Sequence, residues 1–285
     1  MQNDIQIATT IDESYVQHLG VMLCSLFENN SSHRFVIYLL TNAQNNKELD
    51  RLTGMVKKYG HGIKTIAVDQ SKVEGVKVDG HISKATYYRL VMPQYVQPYT
   101  SKILYLDSDI IIKSDIRELW NTDMKNFPIA AVPEIVCEKN AKPGVFNAGV
   151  LLMDIDRWIS EGVTEKALSF ARNNHDSIVH WDQDVLNAVF YKTWLSLPQK
   201  WNVISSAFAE KVMPIKINVI HYTGSLKPWN YHCQHPLKSE YFHYLKKTPW
   251  RKFHFKEDTV WHKVKQSLKK SVNKVSGKKM FEIYA

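Results

Sequence analysis

The stretch YLDSDIII, residues 105–112, decides how this chain is read. Its tyrosine, leucine and isoleucines describe a strand buried on both faces, yet Asp107 and Asp109 stand two residues apart inside it. Carboxylates are rarely fully buried, and an unpaired one in a low-dielectric core costs several kcal/mol, on the order of what a whole domain has to spare. Something positive must therefore meet them. In an extended chain residues i and i+2 share a face, so the two carboxylates are expected to converge on one object while Ser108 turns away. That object is a buried arginine or lysine, a protein partner or a metal ion.

Outward from this stretch, the first half alternates two periods. IQIAT (5–9), RFVIYLL (34–40), IKTIAV (63–68) and KILYLD (102–107) read as strands, while 15–28, 45–59 and 85–92 carry apolar residues at helical spacing. Such alternation implies βαβ units and a mostly parallel sheet with helices on both faces. Ligands of such sheets sit beyond the carboxyl ends of the strands, where Asp107 falls. Downstream, PIAAV, FNAGVLLMD and INVIHYTG read as strands, 155–172 as one helix with Trp158 on its apolar side, and DQDVLNAVF as a shorter helix. One catalytic domain over 1–247 and a basic tail over 248–285 is the expected division.

Composition excludes several classes. With 44% hydrophobic and 23% charged residues the chain is globular and not disordered. No apolar run approaches the roughly 18 residues of a spanning helix, and the start, MQNDIQIATTIDESY, lacks the basic-then-apolar pattern of a signal peptide. Three scattered cysteines fit a reducing cytosol better than a disulfide framework or a zinc site. The net charge of +9 lies in one place: from Leu245 onward twelve lysines and arginines face only Glu257, Asp258 and Glu282. Charge confined to a tail, without an RNA or DNA motif, argues against a nucleic-acid partner. P-loop, dinucleotide and nucleophile-elbow motifs are absent.

The remaining motifs suit a metal and a phosphate. Hard carboxylate oxygens favour Mg²⁺ or Mn²⁺, and an added imidazole, which His221 can supply from a strand end, favours Mn²⁺. In HYTGSLKPW (221–229), Gly224 permits close backbone approach, Lys227 offers a point charge, Pro228 stiffens the loop and Trp229 can pack as a lid. In WDQDVLNAVF, Asp182, Gln183 and Asp184 open a helix, and Asp184 reads as an acid placed for the helix N-terminus. Asn147 interrupts an apolar strand and needs a partner if buried.

ATTIDESY, HISKATYYRL, YLDSDIII, FNAGVLLMDIDRW, WDQDVLNAVF and HYTGSLKPW, taken in this order over roughly residues 5–245, resemble glycosyltransferase family 8. The likeness is to the bacterial lipooligosaccharide α-galactosyltransferase and general stress protein A types. It implies a type A, Rossmann-like α/β fold, a UDP-galactose or UDP-glucose donor, Mn²⁺ with Mg²⁺ as the alternative, and retention of anomeric configuration. By position it makes Asp107, Asp109 and His221 the metal ligands. Ala8, Thr9 and Asp12 would line the uracil and ribose pocket, with Tyr15, His81, Ile82 and Ser83 nearby. Arg89, Asn147, Asp182 and Gln183 would face the donor sugar, and Gly224 and Lys227 the diphosphate, with Ser108 and Ala148 also counted among the donor-binding residues. Near its start ATTIDES is two residues longer than the family's A-x-D-[DE]-N, which leaves the uracil contact open between Thr10 and Asp12.

The resemblance places Gln183 beneath the anomeric carbon. An amide is a poor nucleophile, so same-face attack is expected, with Asp109, Asp182 and Gln183 as the catalytic residues. The expected acceptor is a saccharide or glycoconjugate of the cell envelope. A catalytically silent UDP-sugar-binding protein and a transferase acting on a protein are the alternatives. In the tail, Val260, Trp261, Val264, Leu268, Val272 and Val275 recur at helical spacing among Lys263, Lys265, Lys269, Lys270 and Lys274. A basic amphipathic helix of this kind predicts a cytoplasmic protein held peripherally on an anionic membrane face.

Overall fold

The computed structural model describes residues 4–43, 46–78, 83–134, 144–253 and 255. β1 (Ile5–Thr10), α1 (Val16–Glu28), β2 (Phe35–Thr41), α2 (Lys47–Lys58) and β3 (Gly62–Ala67) alternate as their periodicity predicts. α3 (Tyr88–Val96) then leads to β4 (Lys102–Leu106), β5 (Ile110–Ile112) and α4 (Arg117–Trp120). β6 (Ile129–Pro133), β7 (Phe146–Asp154), α5 (Ile155–Ser160), α6 (Val163–Asn173) and α7 (Trp181–Val189) follow. Short pieces end the fold: β8 (Leu195–Ser196), β9 (Val203–Ile204), α8 (Ser205–Ala209), β10 (Val219–His221) and α9 (Lys238–Leu245).

Seven strands form the central sheet in the order β3-β2-β1-β4-β7-β6-β8. β7 pairs antiparallel with both β4 and β6, and the other pairings are parallel, so the sheet is mostly parallel. Side chains alternate strictly between two cores. Ile7, Leu39, Leu104 and Leu152 pack with α1, α2 and α9, whereas Ala8, Tyr38, Tyr105 and Leu151 pack with α3, α5, α6 and α7. Burial on both faces is why these strands read as unbroken apolar runs.

Three local readings differ. YLDSDIII is not one strand: β4 stops at Leu106, Asp107 to Asp109 form a turn, and β5 leaves to join a second sheet, β5-β10-β9. The convergence of the two aspartates therefore arises from the turn and not from strand alternation. The expected helix over 155–172 is two helices, divided at Gly162, whose φ of 63° lies in the left-handed region that glycine tolerates. The stretch over 85–92 begins as a 3₁₀ turn, Lys84–Tyr87, before α3 takes over.

Packing also continues past Lys247. Trp250 is buried in the first core, its indole lies against Gly20 of α1 where no larger residue fits, and its Nε1 donates to Glu48 Oε2. The amphipathic segment beyond residue 255 lies outside the described residues. Among the described residues no helix is long and apolar enough to cross a membrane.

Candidate active site and metal centre

Asp107 continues β4 by one backbone bond, its N–H donating to Gly149 O at 2.9 Å. The turn then delivers Asp109, whose carbonyl accepts from Tyr222 N at 3.1 Å, and β5 pairs antiparallel with β10 so that Ile110 faces His221. This register brings together residues more than a hundred positions apart. His221 Nε2 lies 3.3 Å from Asp109 Oδ1 and 3.7 Å from Asp107 Oδ2. One ligand atom from each of the three residues falls within 4.8 Å of the others.

Each carboxylate commits its other oxygen to a fixed cation. The buried Arg89 donates through Nη2 to Asp107 Oδ1 at 2.7 Å and through Nη1 to Ala148 O, while its Nε is ion-paired to Asp182 Oδ2 at 3.0 Å. The Arg89 and Asp182 atoms lie off hydrogen-bond alignment, so their attraction is Coulombic. Tyr105 lies beneath the guanidinium, 4.3 Å from its ring centroid, and donates its hydroxyl to Asp107 Oδ1 at 3.0 Å. Thr10 Oγ1 completes the chain by donating to Tyr105 at 3.0 Å. Lys227 Nζ donates to Asp109 Oδ2 at 2.6 Å and to Tyr222 O at 2.7 Å.

Electrostatics follow this pairing. Burial pushes the Asp109 carboxyl up, but Lys227 and His221 outweigh it and hold the group well below the usual carboxylate range. Burial pushes Asp182 up to about 6, against the pull of Arg89, with Asp107 adding to the rise. Burial opposes the charge on Arg89, yet Asp107 and Asp182 together keep it cationic. Arg89 and Lys227 each satisfy one carboxylate oxygen, and the other two oxygens turn toward the imidazole.

The floor of this cluster is Gly149. A Cβ there would sit 2.8 Å from both Asp107 Oδ2 and His221 Nδ1, and closer still to His221 Cε1. The pairing of β6 with β7 slips between Ala131 and Val132, which frees backbone around Gly149 from the ladder. Side chains use it instead: Ala148 N donates to Gln183 Oε1 at 3.2 Å and Gly149 N to Asn147 Oδ1 at 3.0 Å. Asn147 Nδ2 also donates to Gln183 Oε1, at 2.9 Å, and Gln183 Nε2 donates to Glu134 Oε2 at 3.1 Å. Burial pushes the Glu134 carboxyl up. Two hard oxygens, one imidazole nitrogen and a glycine cradle are a donor set that fits a divalent cation of the Mn²⁺ or Mg²⁺ kind.

Beyond the end of β1, two of the other expected residues meet. Asp12 accepts from Ser14 N at 2.9 Å and from Ser83 Oγ at 2.8 Å, so Asp12 and Ser83 meet as anticipated. Ala8, Thr9 and Ser108 are buried, and Thr9 Oγ1 has no hydrogen-bond partner among the described residues. His81 and Ile82 lie outside the described residues. Gly224 stands at an exposed turn with φ 85°. Trp229 is no lid. It stacks on His18 with centroids 3.5 Å apart and meets Tyr15 edge-on at 5.8 Å, which fastens the loop to α1. Asp184 accepts from Val179 N at 2.7 Å and His180 N at 2.6 Å, the capping part read for it.

Sequence reasoning missed Gly149, Tyr105, Glu134 and Asn202. Only the glycine carried a signal, since an isolated glycine in an apolar strand marks close approach of another group.

Comparison with known proteins sharpens this geometry. The model of the family described as "Glycosyl transferase family 8" matches residues 6–233. "General stress protein A" of Bacillus subtilis is 30% identical over 270 residues, covering 86% of this chain and 94% of that protein. "Lipopolysaccharide 1,3-galactosyltransferase" of Salmonella typhimurium is 26% identical, covering 94% and 85%. "Lipopolysaccharide 1,2-glucosyltransferase" of Escherichia coli K12 is 25% identical, covering 87% and 79%. Among solved structures, galactosyltransferase LgtC in complex with donor and acceptor sugar analogs superposes with a TM-score of 0.80 over 87% of this chain and 99% of that one, at 22% identity. That likeness fixes the type A α/β fold.

Proposed function

We infer the reaction from one premise: the chain belongs to glycosyl transferase family 8 and is therefore a glycosyltransferase. We propose that it transfers galactose or glucose, with retention, from UDP to a saccharide or glycoconjugate of the cell envelope, and that it requires Mn²⁺. Relatives named as lipopolysaccharide glucosyl- and galactosyltransferases support the two sugars and this acceptor class. The observation that carries the reading is the convergence of Asp107, Asp109 and His221 on one point over Gly149.

Asp107, Asp109 and His221 would hold the ion, which when bound supplies Lewis-acid stabilisation of charge on the departing diphosphate. Lys227, already beside Asp109, adds a second positive charge there. The diphosphate rests against Ser108 and Gly224, whose exposed turn admits backbone contact. Ala8, Thr9, Asp12, Tyr15 and Ser83 receive the uridine, and Arg89, Asn147 and Ala148 the sugar. Gln183 is held by the Ala148 N–H and by Asn147 and Glu134, so its amide is oriented and poorly nucleophilic. Asp182 is buried against Arg89, which orients that guanidinium and leaves the carboxylate ill placed to attack carbon. Attack therefore comes from the acceptor on the face UDP leaves. The acceptor oxygen bonds to the anomeric carbon as the carbon–oxygen bond to UDP breaks, and the acceptor's proton passes to the departing phosphate oxygen.

Incubation with UDP-galactose and UDP-glucose tests this reading. Release of sugar only with Mn²⁺, lost in Asp109→Asn, supports it, and a glycosyl adduct trapped on Asp182 or Gln183 contradicts same-face attack.

The basic segment beyond Phe255, the amphipathic part of the tail over 248–285, is proposed to bind an anionic bilayer, each lysine near the surface contributing about 1 kcal/mol. Sedimentation with phosphatidylglycerol vesicles should retain the full chain and release a chain truncated after Phe255. Equal binding of the two would contradict the proposal.

A further inference from the structure

We propose that Asn202 is the positioning residue that sets the tautomer of His221 and thereby presents its Nε2 lone pair to the metal. This rests on the reading of Asp107, Asp109 and His221 as a metal centre. The assignment starts from one backbone donor. The N–H of Gly149 lies 3.0 Å from Asn147 Oδ1, and since an N–H only donates, that atom is the oxygen. Asn202 approaches the same oxygen at 2.8 Å and must do so with its NH₂ group. Its carbonyl oxygen is then the atom that meets His221 Nδ1 at 2.9 Å. An oxygen acceptor requires hydrogen on Nδ1. A neutral imidazole carries one ring hydrogen, so Nε2 keeps a lone pair. In the neutral ring that lone pair faces Asp109 Oδ1 at 3.3 Å and Asp107 Oδ2 at 3.7 Å, three lone-pair-bearing atoms whose repulsion a bound cation relieves in place of a second ring proton on Nε2.

The fold makes this arrangement rigid. Asn202 is 2% exposed and His221 3%, so water does not compete for either group. Asn202 directly precedes β9, which pairs parallel with β10 and places Ile204 beside His221. An asparagine holds an NH₂ donor group and a carbonyl acceptor in a single plane, and here the first meets Asn147 and the second His221. Without it the ring is free to put its hydrogen on Nε2, where it donates to Asp109 and competes with the ion for the same space. Partners of this kind change metal affinity by about 10–100-fold when removed.

Two readouts test the proposal on the full chain. Long-range ¹H–¹⁵N NMR of the wild type saturated with Mg²⁺, with His221 assigned by comparison with His221→Gln, should show hydrogen on Nδ1 and a hydrogen-free Nε2. Mn²⁺ affinity, read from the electron paramagnetic resonance of the free ion, should fall about 10–100-fold in Asn202→Leu. Hydrogen on Nε2 in the Mg²⁺-loaded wild type overturns the proposal, and so does Asn202→Leu binding Mn²⁺ like the wild type. The first readout needs no variant and decides the matter even if Asn202→Leu does not fold. A wild type that binds no Mn²⁺ would refute the metal centre itself, and this proposal with it.

Discussion

Gly149→Ala adds one methyl group at the point where β7 passes under the three converging side chains. Gly149 lies in ordinary strand backbone without positive φ, so alanine meets no conformational strain and the whole effect is steric. The new Cβ would stand 2.8 Å from Asp107 Oδ2 and from His221 Nδ1, where ordinary contact begins at 3.4 Å. Each group must therefore retreat by about 0.6 Å, beyond the roughly 0.5 Å tolerance of a preorganised site, and His221 Cε1 must move further. A displacement near 1 Å costs on the order of 10²-fold in rate, and overpacking costs about 1–3 kcal/mol of stability. The expected variant is folded, melts several degrees lower, binds Mn²⁺ at least about tenfold more weakly and turns over donor about a hundredfold more slowly. Mn²⁺ titration of donor hydrolysis beside a thermal melt measures both. Wild-type affinity and turnover in Gly149→Ala would refute the claim that Asp107 and His221 act together over this glycine.

Arg89→Met leaves Asp182 buried without its cation and the half-buried Asp107 without its partner, and should lower the urea-unfolding free energy by about 3–5 kcal/mol, with Asp182→Asn added to it recovering part of the loss. No recovery would argue that the pairing is incidental. His235 is pushed down to about 4 by burial, and its Nδ1 accepts from Leu237 N at 3.1 Å. The unfolded chain takes up that proton near 6.5 and so binds more protons than the folded one below that pH, which makes stability fall as pH drops from 6.5 to about 4. The loss, discounted for screening by water, is about 1–2 kcal/mol, and urea midpoints at pH 7 and 4.5 should differ less in His235→Asn than in the wild type. Trp250→Ala should cost about 3–5 kcal/mol, and truncation after Lys247 should destabilise the fold where truncation after Phe255 does not. Equal melting of the two truncations would remove Trp250 from the core.

The legible parts of this protein are those that local chemistry determines. β1, β2 and β4 could be read because burial on both faces forces unbroken apolar runs, and the edge strand β3, largely exposed, from the helical spacing on either side of it. Asp107, Asp109 and His221 could be read because costly residue types end such runs. The second sheet could not, since β9 and β5 have two and three residues, too few for a period. The break at Gly162 was hidden by apolar residues continuing on both sides of it. Glu134, Asn147, Gln183, Asn202 and His221 form a chain of side-chain bonds spanning separated elements, and only the folded register of β6, β7, β9 and β10, with α7 packed beside β7, joins them. The position of Arg89 between Asp107 and Asp182 depends on α3 packing against the sheet face that carries Tyr105, which no spacing discloses.

The central claim is that Asp107, Asp109 and His221 hold a divalent ion that drives retaining transfer from a UDP-hexose. Proton NMR of UDP-galactose and UDP-glucose hydrolysis, followed before the free sugar mutarotates, tests it most directly. The account predicts that one of the two donors releases the α-anomer first, that the rate saturates with Mn²⁺, and that Asp109→Asn abolishes it. Release of the β-anomer first, or turnover that persists in Asp109→Asn or without a divalent ion, would contradict it.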